Sequence, residues 1–335
     1  MTEHEGLRLM RVEMQRQCRD ALDSMQAGRP VAARVAAAAK AAGRMVLYGI
    51  GGSHYVNRTV EPLYRAAGID CRAMSPSEAL MAPLPEARRV ALFVSQSGES
   101  GEIVELLREP VGLDERYAIS LNADSTLGRA ARETLVCLGG PENAFAATRS
   151  IILTLAMHAA VLEALGQNMD ALRAVFEADA PADMAPVDAV LADCDVIVFA
   201  GRHVLQGVAQ SGALSLMELS RVPAIGLESG QFRHGPFEFL RPGLGILLLR
   251  SAGRDHASVA PIAEVTVDAG CTTIVFDAGD GTLPNGVLRV RLPENEGIAA
   301  AASMLLSFQE LNIAIARRRI AHDVGTPLRT TKVTV

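Results

Sequence analysis

Short, nearly uninterrupted apolar runs recur at residues 45–48, 90–94, 117–121 and 134–138, with helix-length segments between them. A parallel strand covered on both faces reads this way, as a continuous apolar run rather than an alternation. A second series follows at 195–200, 224–227, 245–249, 272–276 and 287–292. Setting the series side by side pairs Gly49 with Gly201, Ser95 with Ser251 and Ser120 with Phe276 at a near-constant offset, which suggests an internal duplication. Residues 1–43 have helical spacing broken by Gly28-Arg29-Pro30, which predicts two helices joined by a turn. A long helix is expected over 146–165. The expected fold class is α/β: two tandem doubly wound, flavodoxin-like parallel-sheet domains with an N-terminal helical lead. The expected boundaries are 1–43 for the lead, 44–166 for the first domain and 167–188 for a helical linker containing Pro181 and Pro186. The second domain spans 189–320, and 321–335 form a C-terminal tail. One large α/β domain is the alternative.

Composition narrows the function classes. The 335 residues amount to about two average domains, and 49% of them are apolar. Charged residues such as Arg44, Arg72, Arg89 and Asp124 interrupt the apolar runs before the ~18 residues that a membrane span needs. The charged start of the chain lacks the form of a secretory signal, so a cytoplasmic protein with no membrane partner is expected. Cysteines at 18, 71, 137, 194 and 271 lack the close spacing of a metal or redox motif, so neither disulfides nor a bound metal is expected. The formal charge is −6, aromatics are 4% and Trp is absent, which argues against nucleic acid as a partner.

Ligands of open parallel sheets bind at the carboxyl ends of strands, and three loops there stand out. Gly49-Ile50-Gly51-Gly52-Ser53-His54 resembles a dinucleotide fingerprint, but His54 takes the third glycine position and Asp70 falls at the start of the next strand. A dinucleotide cofactor is therefore disfavoured, and a plain strand-to-helix turn would need the same glycines. Ser95-Gln96-Ser97-Gly98-Glu99-Ser100 clusters three hydroxyls and an amide before a helix, which suits an anion held by neutral donors and backbone N–H groups. Its bland reading is a capping turn with Ser100 as N-cap. Ser229 to Pro236 places His234 in a loop after a strand, where an imidazole could move protons near neutral pH.

The serine run, Gly212-Ala213-Leu214-Ser215-Leu216-Met217-Glu218 and Arg233-His234-Gly235-Pro236, in that order, resemble the sugar isomerase (SIS) domain pair. That pair forms the isomerase half of glucosamine-6-phosphate synthase and several stand-alone phosphosugar isomerases and deaminases, and the similarity runs from about Met45 to Val335. The resemblance implies that Ser53, Ser95, Gln96, Ser97 and Ser100 contact the sugar phosphate, with Gly51, Gly52, Ala146 and Ala147 beside the sugar. It implies that Glu218 shuttles a proton between C1 and C2, that His234 opens the ring from the neighbouring subunit of a homodimer, and that Lys332 meets the carbonyl. No cofactor is implied.

The residues themselves are compatible with those roles. Moving a hydrogen between adjacent carbons needs one carboxylate that takes and returns a proton, although Glu218 could equally be a surface group paired with Arg221. Thirty of the 32 basic residues are Arg, so Lys332 is one of two side-chain amines able to attack a carbonyl, or else part of an unstructured tail. The chain departs from the synthase pattern at Ser211, Ser215 and Arg233, at Gly52, and at Ala147-Thr148-Arg149, changes expected to alter the polar lining near the sugar. Residue 2 is Thr rather than a glutaminase cysteine. The expected activity is aldose–ketose isomerisation of a hexose or hexosamine 6-phosphate, with or without coupled deamination, and the alternative is a non-catalytic sugar-phosphate sensor.

Overall fold

The computed structural model describes residues 4–109 and 113–329. The chain divides into two compact units, one built on Leu9–Glu177 and the other on Ala178–Thr326. The first unit holds five strands, β1 Arg44–Tyr48, β2 Asp70–Met74, β3 Arg89–Val94, β4 Asp114–Ser120 and β5 Glu133–Val136. All pair in parallel in the order β2-β1-β3-β4-β5. Every residue of β3 is buried, which is why it reads as an unbroken apolar run. On one face Val46, Tyr48, Ala91, Phe93 and Ala118 form a core with Ile103 of helix Gly101–Arg108 and Leu127 of helix Thr126–Ala130.

The chain enters this unit through helices Glu5–Met14 and Gln17–Ala42. The expected break at Gly28-Arg29-Pro30 does not occur, because the second helix runs straight through it. Gly28 is buried where a Cβ would meet Met157 Sδ at 3.3 Å and Leu135 Cδ2 at 3.4 Å. Close packing against helix Arg149–Ala164 outweighs the ~3 kcal/mol by which an interior proline disfavours a helix. That partner is buried on every side from Arg149 to Leu162, as a core helix is.

The second unit repeats the winding. Strands β6 Val196–Gly201, β7 Ala224–Glu228, β8 Leu244–Ser251, β9 Thr272–Ala278 and β10 Leu288–Arg291 pair in parallel, and the sheet reads β10-β9-β8-β6-β7. Read from β7, this is the strand order of the first sheet. Val198, Ala200, Ile246, Leu248 and Val275 pack with Phe232, Val259, Ile262 and Ala263 into its core. Helix Gly297–Arg319 is long and apolar enough to cross a membrane, yet 89% of its most apolar window is buried within the protein. On β8 and β9, Arg250 and Asp277 are register partners and form a buried ion pair, with Arg289 Nε 2.6 Å from Asp277 Oδ2. In each sheet the connections diverge at one point, between β1 and β3 and between β6 and β8, and the loops leaving those strand ends are where such folds bind ligands.

Candidate active site

The serine turn leaves β3 at the first of these points. Ser95 is buried, and its Oγ accepts from Gly98 N–H at 3.1 Å and lies 3.0 Å from Ser100 Oγ. Ser97 Oγ accepts from Glu99 N–H at 3.2 Å. Gly98 has φ +70°, and a Cβ there would lie 2.0 Å from Ser125 Oγ, so the turn admits no other residue without rearrangement. Ser100 is the N-cap of helix Gly101–Arg108, yet its hydroxyl makes no capping bond. The capping reading therefore fails for its side chain: the hydroxyl faces Ser95, and the first helical N–H groups stay uncapped by it. Glu99 points away from the cluster and accepts from Thr126 N–H at 2.7 Å, which lowers its carboxyl below the ordinary range.

Beside it, Gly51 turns the chain from β1 into helix Gly52–Ala66 with φ +57°. Gly52 stands where a Cβ would lie 2.6 Å from Ile151 Cδ1, so a larger residue there would require that side chain to shift. Ser53 is half-buried at the start of this helix. His54 buries its Nδ1 without a hydrogen-bond partner, and burial, then the Arg58 charge, lowers its pKa, keeping the ring neutral. Below it a fully buried chain runs from Tyr64 OH to His158 Nδ1 at 3.1 Å and from His158 Nε2 to Asn57 Oδ1 at 3.0 Å. Burial pushes His158 down to about 3, so this ring too is neutral.

The segment carrying Ala146 and Ala147 belongs to the same unit and is tied to the serine turn through Gln96, whose Nε2 donates to Glu142 O at 3.2 Å. Two carboxylates that nothing in the sequence marked hold this segment. Glu142 accepts from Thr148 N–H at 3.1 Å, Ser150 N–H at 3.0 Å and Ser150 Oγ, while Glu13 accepts from Asn143 N–H at 2.5 Å and Ala144 N–H at 3.2 Å. Burial raises the Glu142 carboxyl against those hydrogen bonds. A lone acidic residue in a loop carries no sequence signal for such a role. Arg149, expected among the changes to the polar lining, is instead fully buried. It donates to Asp20 Oδ2 at 3.0 Å and to the carbonyls of Leu138, Gly140 and Pro141. A cavity of about 430 Å³ in this unit, floored by Tyr48 and Phe93, is lined by none of the serine-turn residues.

In the second unit the chain leaving β6 is α-helical across Val204–Ser215. Leu216–Ser220 form a π turn, and Arg221 follows with φ +55°. Glu218 sits in that π turn, a feature common at functional sites. The wider winding takes Arg221 off the i,i+3 alignment, and Arg221 Nη2 donates to Thr326 O at 3.2 Å instead. The surface ion pair is therefore not formed. The Glu218 side chain reaches solvent, but enough protein surrounds it that burial raises its carboxyl to about 6. His234 lies at the C-cap of a short helix, Ser229–Arg233, rather than in an open loop, and its ring is exposed. Ser211 is buried on helix Val204–Ser215. The structure thus groups Ser53, Ser95, Gln96, Ser97, Ser100 and the 146–147 segment in one unit, and Glu218 with His234 in the other. Lys332 lies outside the described residues.

No family model matches the chain. Over 266 residues it is 29% identical to the glutamine–fructose-6-phosphate aminotransferase [isomerizing] of Thermus thermophilus, covering 73% of this chain and 44% of that protein. The chain thus spans less than half the length of the curated relatives it matches. Among solved structures it superposes on the C-terminal domain of glucosamine-fructose-6-phosphate aminotransferase from Francisella tularensis with a TM-score of 0.83. The identity there is 18%, over 95% of this chain and 98% of that one. Tagatose-6-phosphate ketose/aldose isomerase from Escherichia coli gives 0.81 at 19% identity over 98% of both chains. The resemblance read from the three motifs is the one these proteins carry.

Proposed function

We infer that this chain, built on the sugar isomerase domain pair, is a phosphosugar isomerase acting on a hexose or hexosamine 6-phosphate. The observation that carries the reading is the serine turn: three clustered hydroxyls at a helix N-terminus, one of them in the capping position and not capping. Such donors suit a phosphomonoester, because the helix dipole favours negative charge and hydroxyls rotate to donate to its oxygens. Gln96 and Ser53 complete the grip on the phosphate, and Gly51, Gly52, Ala146 and Ala147 lie beside the sugar. His234 opens the ring as general acid–base. Glu218 then takes the proton from one of C1 and C2 and returns it to the other through an enediol or enolamine. A carboxyl raised to about 6 is close enough to neutrality to serve both halves of that exchange. Lys332 is assigned to the substrate carbonyl, and a cytoplasmic homodimer with His234 supplied by the neighbouring subunit is part of the reading. Where the sugar carries an amine at C2, moving the C2 proton to C1 leaves a C2 imine, which water hydrolyses to the ketose and ammonia.

The test is a panel of hexose and hexosamine 6-phosphates scored for ketose formation and ammonia release, with wild type and Glu218→Gln. Turnover by wild type that collapses in the variant supports the reading. Binding of these compounds with no turnover of any of them by wild type would replace it with a sugar-phosphate sensor.

A further inference from the structure

The helix that delivers His234, Ser229–Arg233, is only five residues long. So short a helix has too few internal hydrogen bonds to hold its own direction, and whatever fixes its first turn also fixes the imidazole at its end. Its N-cap is Glu228, the last residue of β7, whose Oε2 accepts from Gln231 N–H at 2.8 Å. The other oxygen, Oε1, accepts from Arg202 Nε at 3.1 Å. Arg202 follows β6 directly, and Gly201 and Glu228 are register partners across β6 and β7. The ion pair therefore anchors the helix to two adjacent strand ends. Gly230 leaves the room for it, since a Cβ there would lie 2.7 Å from Glu228 Oε2 and 3.0 Å from Arg202 Nη2. Farther along, Phe232 is fully buried with its ring 5.0 Å from that of Phe237. His234 N–H closes the turn on Gln231 O at 3.0 Å, and Gly235 follows with φ +110°.

We propose that Arg202 and Glu228 are positioning residues, an ion pair that aims the helix Ser229–Arg233 and so sets the imidazole of His234 for proton transfer. The proposal rests on the role given to His234 above. A neutral side chain could cap the helix. The guanidinium adds a second fixed point, so that the carboxylate cannot rotate about its own stem and let the helix swing. Arg202 and the helix N–H groups together hold Glu228 ionised, its carboxyl lowered despite partial burial.

The full-length chain serves for the test, with Glu228→Ala, Glu228→Gln and Arg202→Met measured for kcat and KM on the best substrate of the panel. Melting temperature and the NMR resonance of the His234 ring, assigned by its loss in His234→Asn, are followed in parallel. Positioning requires kcat to fall by about 10- to 100-fold in Glu228→Ala and Arg202→Met with KM within about twofold, and the His234 resonance to move. The melting temperature should drop only by about 2–4 °C, as for one lost cap. Glu228→Gln, which keeps an acceptor for Gln231 N–H, should recover part of kcat. Unchanged kcat with an unmoved resonance in folded Glu228→Ala and Arg202→Met overturns the proposal, as does a rise confined to KM. Should His234→Asn turn over at the wild-type rate, the catalytic role of His234 fails by itself. A moved resonance then still supports aiming of the ring by the pair, and an unmoved one rejects it.

Discussion

Replacing Glu218 by glutamine keeps the side chain's size and removes its ionisation. Burial raises the carboxyl from an ordinary 4.5 to about 6. At that value the group is about 90% ionised at pH 7 and about 10% at pH 5, whereas an unshifted carboxyl would still be about three-quarters ionised at pH 5. A base that works ionised therefore loses about tenfold in kcat/KM over those two pH units. A phosphomonoester substrate titrates near pH 6 as well. The rate profile is therefore paired with a ¹³C NMR titration of the Glu218 carboxyl in the free protein, assigned by its absence in Glu218→Gln. Stability moves in a defined direction. With the folded pKa above the unfolded one, the group's contribution is fully present below about 4.5 and is lost as pH rises through about 6. The glutamine variant should thus melt higher than wild type at pH 7–8 and not at pH 4, while its turnover falls by about 10²- to 10⁴-fold. A carboxyl titrating at its ordinary value, or a glutamine variant that turns over like wild type, refutes the reasoning.

Gly98→Ala forces a Cβ to within 2.0 Å of Ser125 Oγ at φ +70°. Left-handed strain of about 1–2 kcal/mol and overpacking of about 1–3 kcal/mol together predict a melting temperature lower by several degrees, and calorimetry showing no change would reject the close approach. Ser100→Ala removes a hydroxyl that does not cap its helix, so it should leave the melting temperature nearly unchanged. Phosphate affinity, read by titration calorimetry, should weaken by about 3- to 10-fold, and a large loss of stability with intact affinity would return Ser100 to a capping role. Lys332→Arg should abolish any adduct trapped by borohydride on incubation with substrate, because a guanidinium forms no Schiff base; trapping that persists in mass spectra assigns the amine elsewhere.

The strands were legible because parallel sheets covered on both faces demand continuous apolar runs, and β3 and β8, buried at every residue, supply them over 90–94 and 244–249. The serine turn was legible because hydroxyl density beyond what a cap needs is a local property of six residues. The break expected at Gly28-Arg29-Pro30 was misread, since the residues that keep the helix whole, Met157 and Leu135, are more than a hundred positions away. Glu142 and Glu13 were invisible for a different reason: apart from the Ser150 hydroxyl, their partners are backbone N–H groups that a sequence does not distinguish from any others.

By itself the order of residues determined the α/β winding, the glycine-dependent turns and the set of side chains able to hold a phosphate or move a proton, because propensity and periodicity act over a few residues at a time. Tertiary structure alone decided their states. It wound Glu218 into a π turn away from Arg221 and raised its carboxyl, turned Ser100 toward Ser95 instead of its own helix, withdrew Arg149 into the interior, and tied Glu228 to Arg202. Apart from the Ser95–Ser100 contact, which is local to its turn, each depends on which atoms from other parts of the chain surround a group, and desolvation and hydrogen-bond partnership exist only once the fold has brought those atoms together.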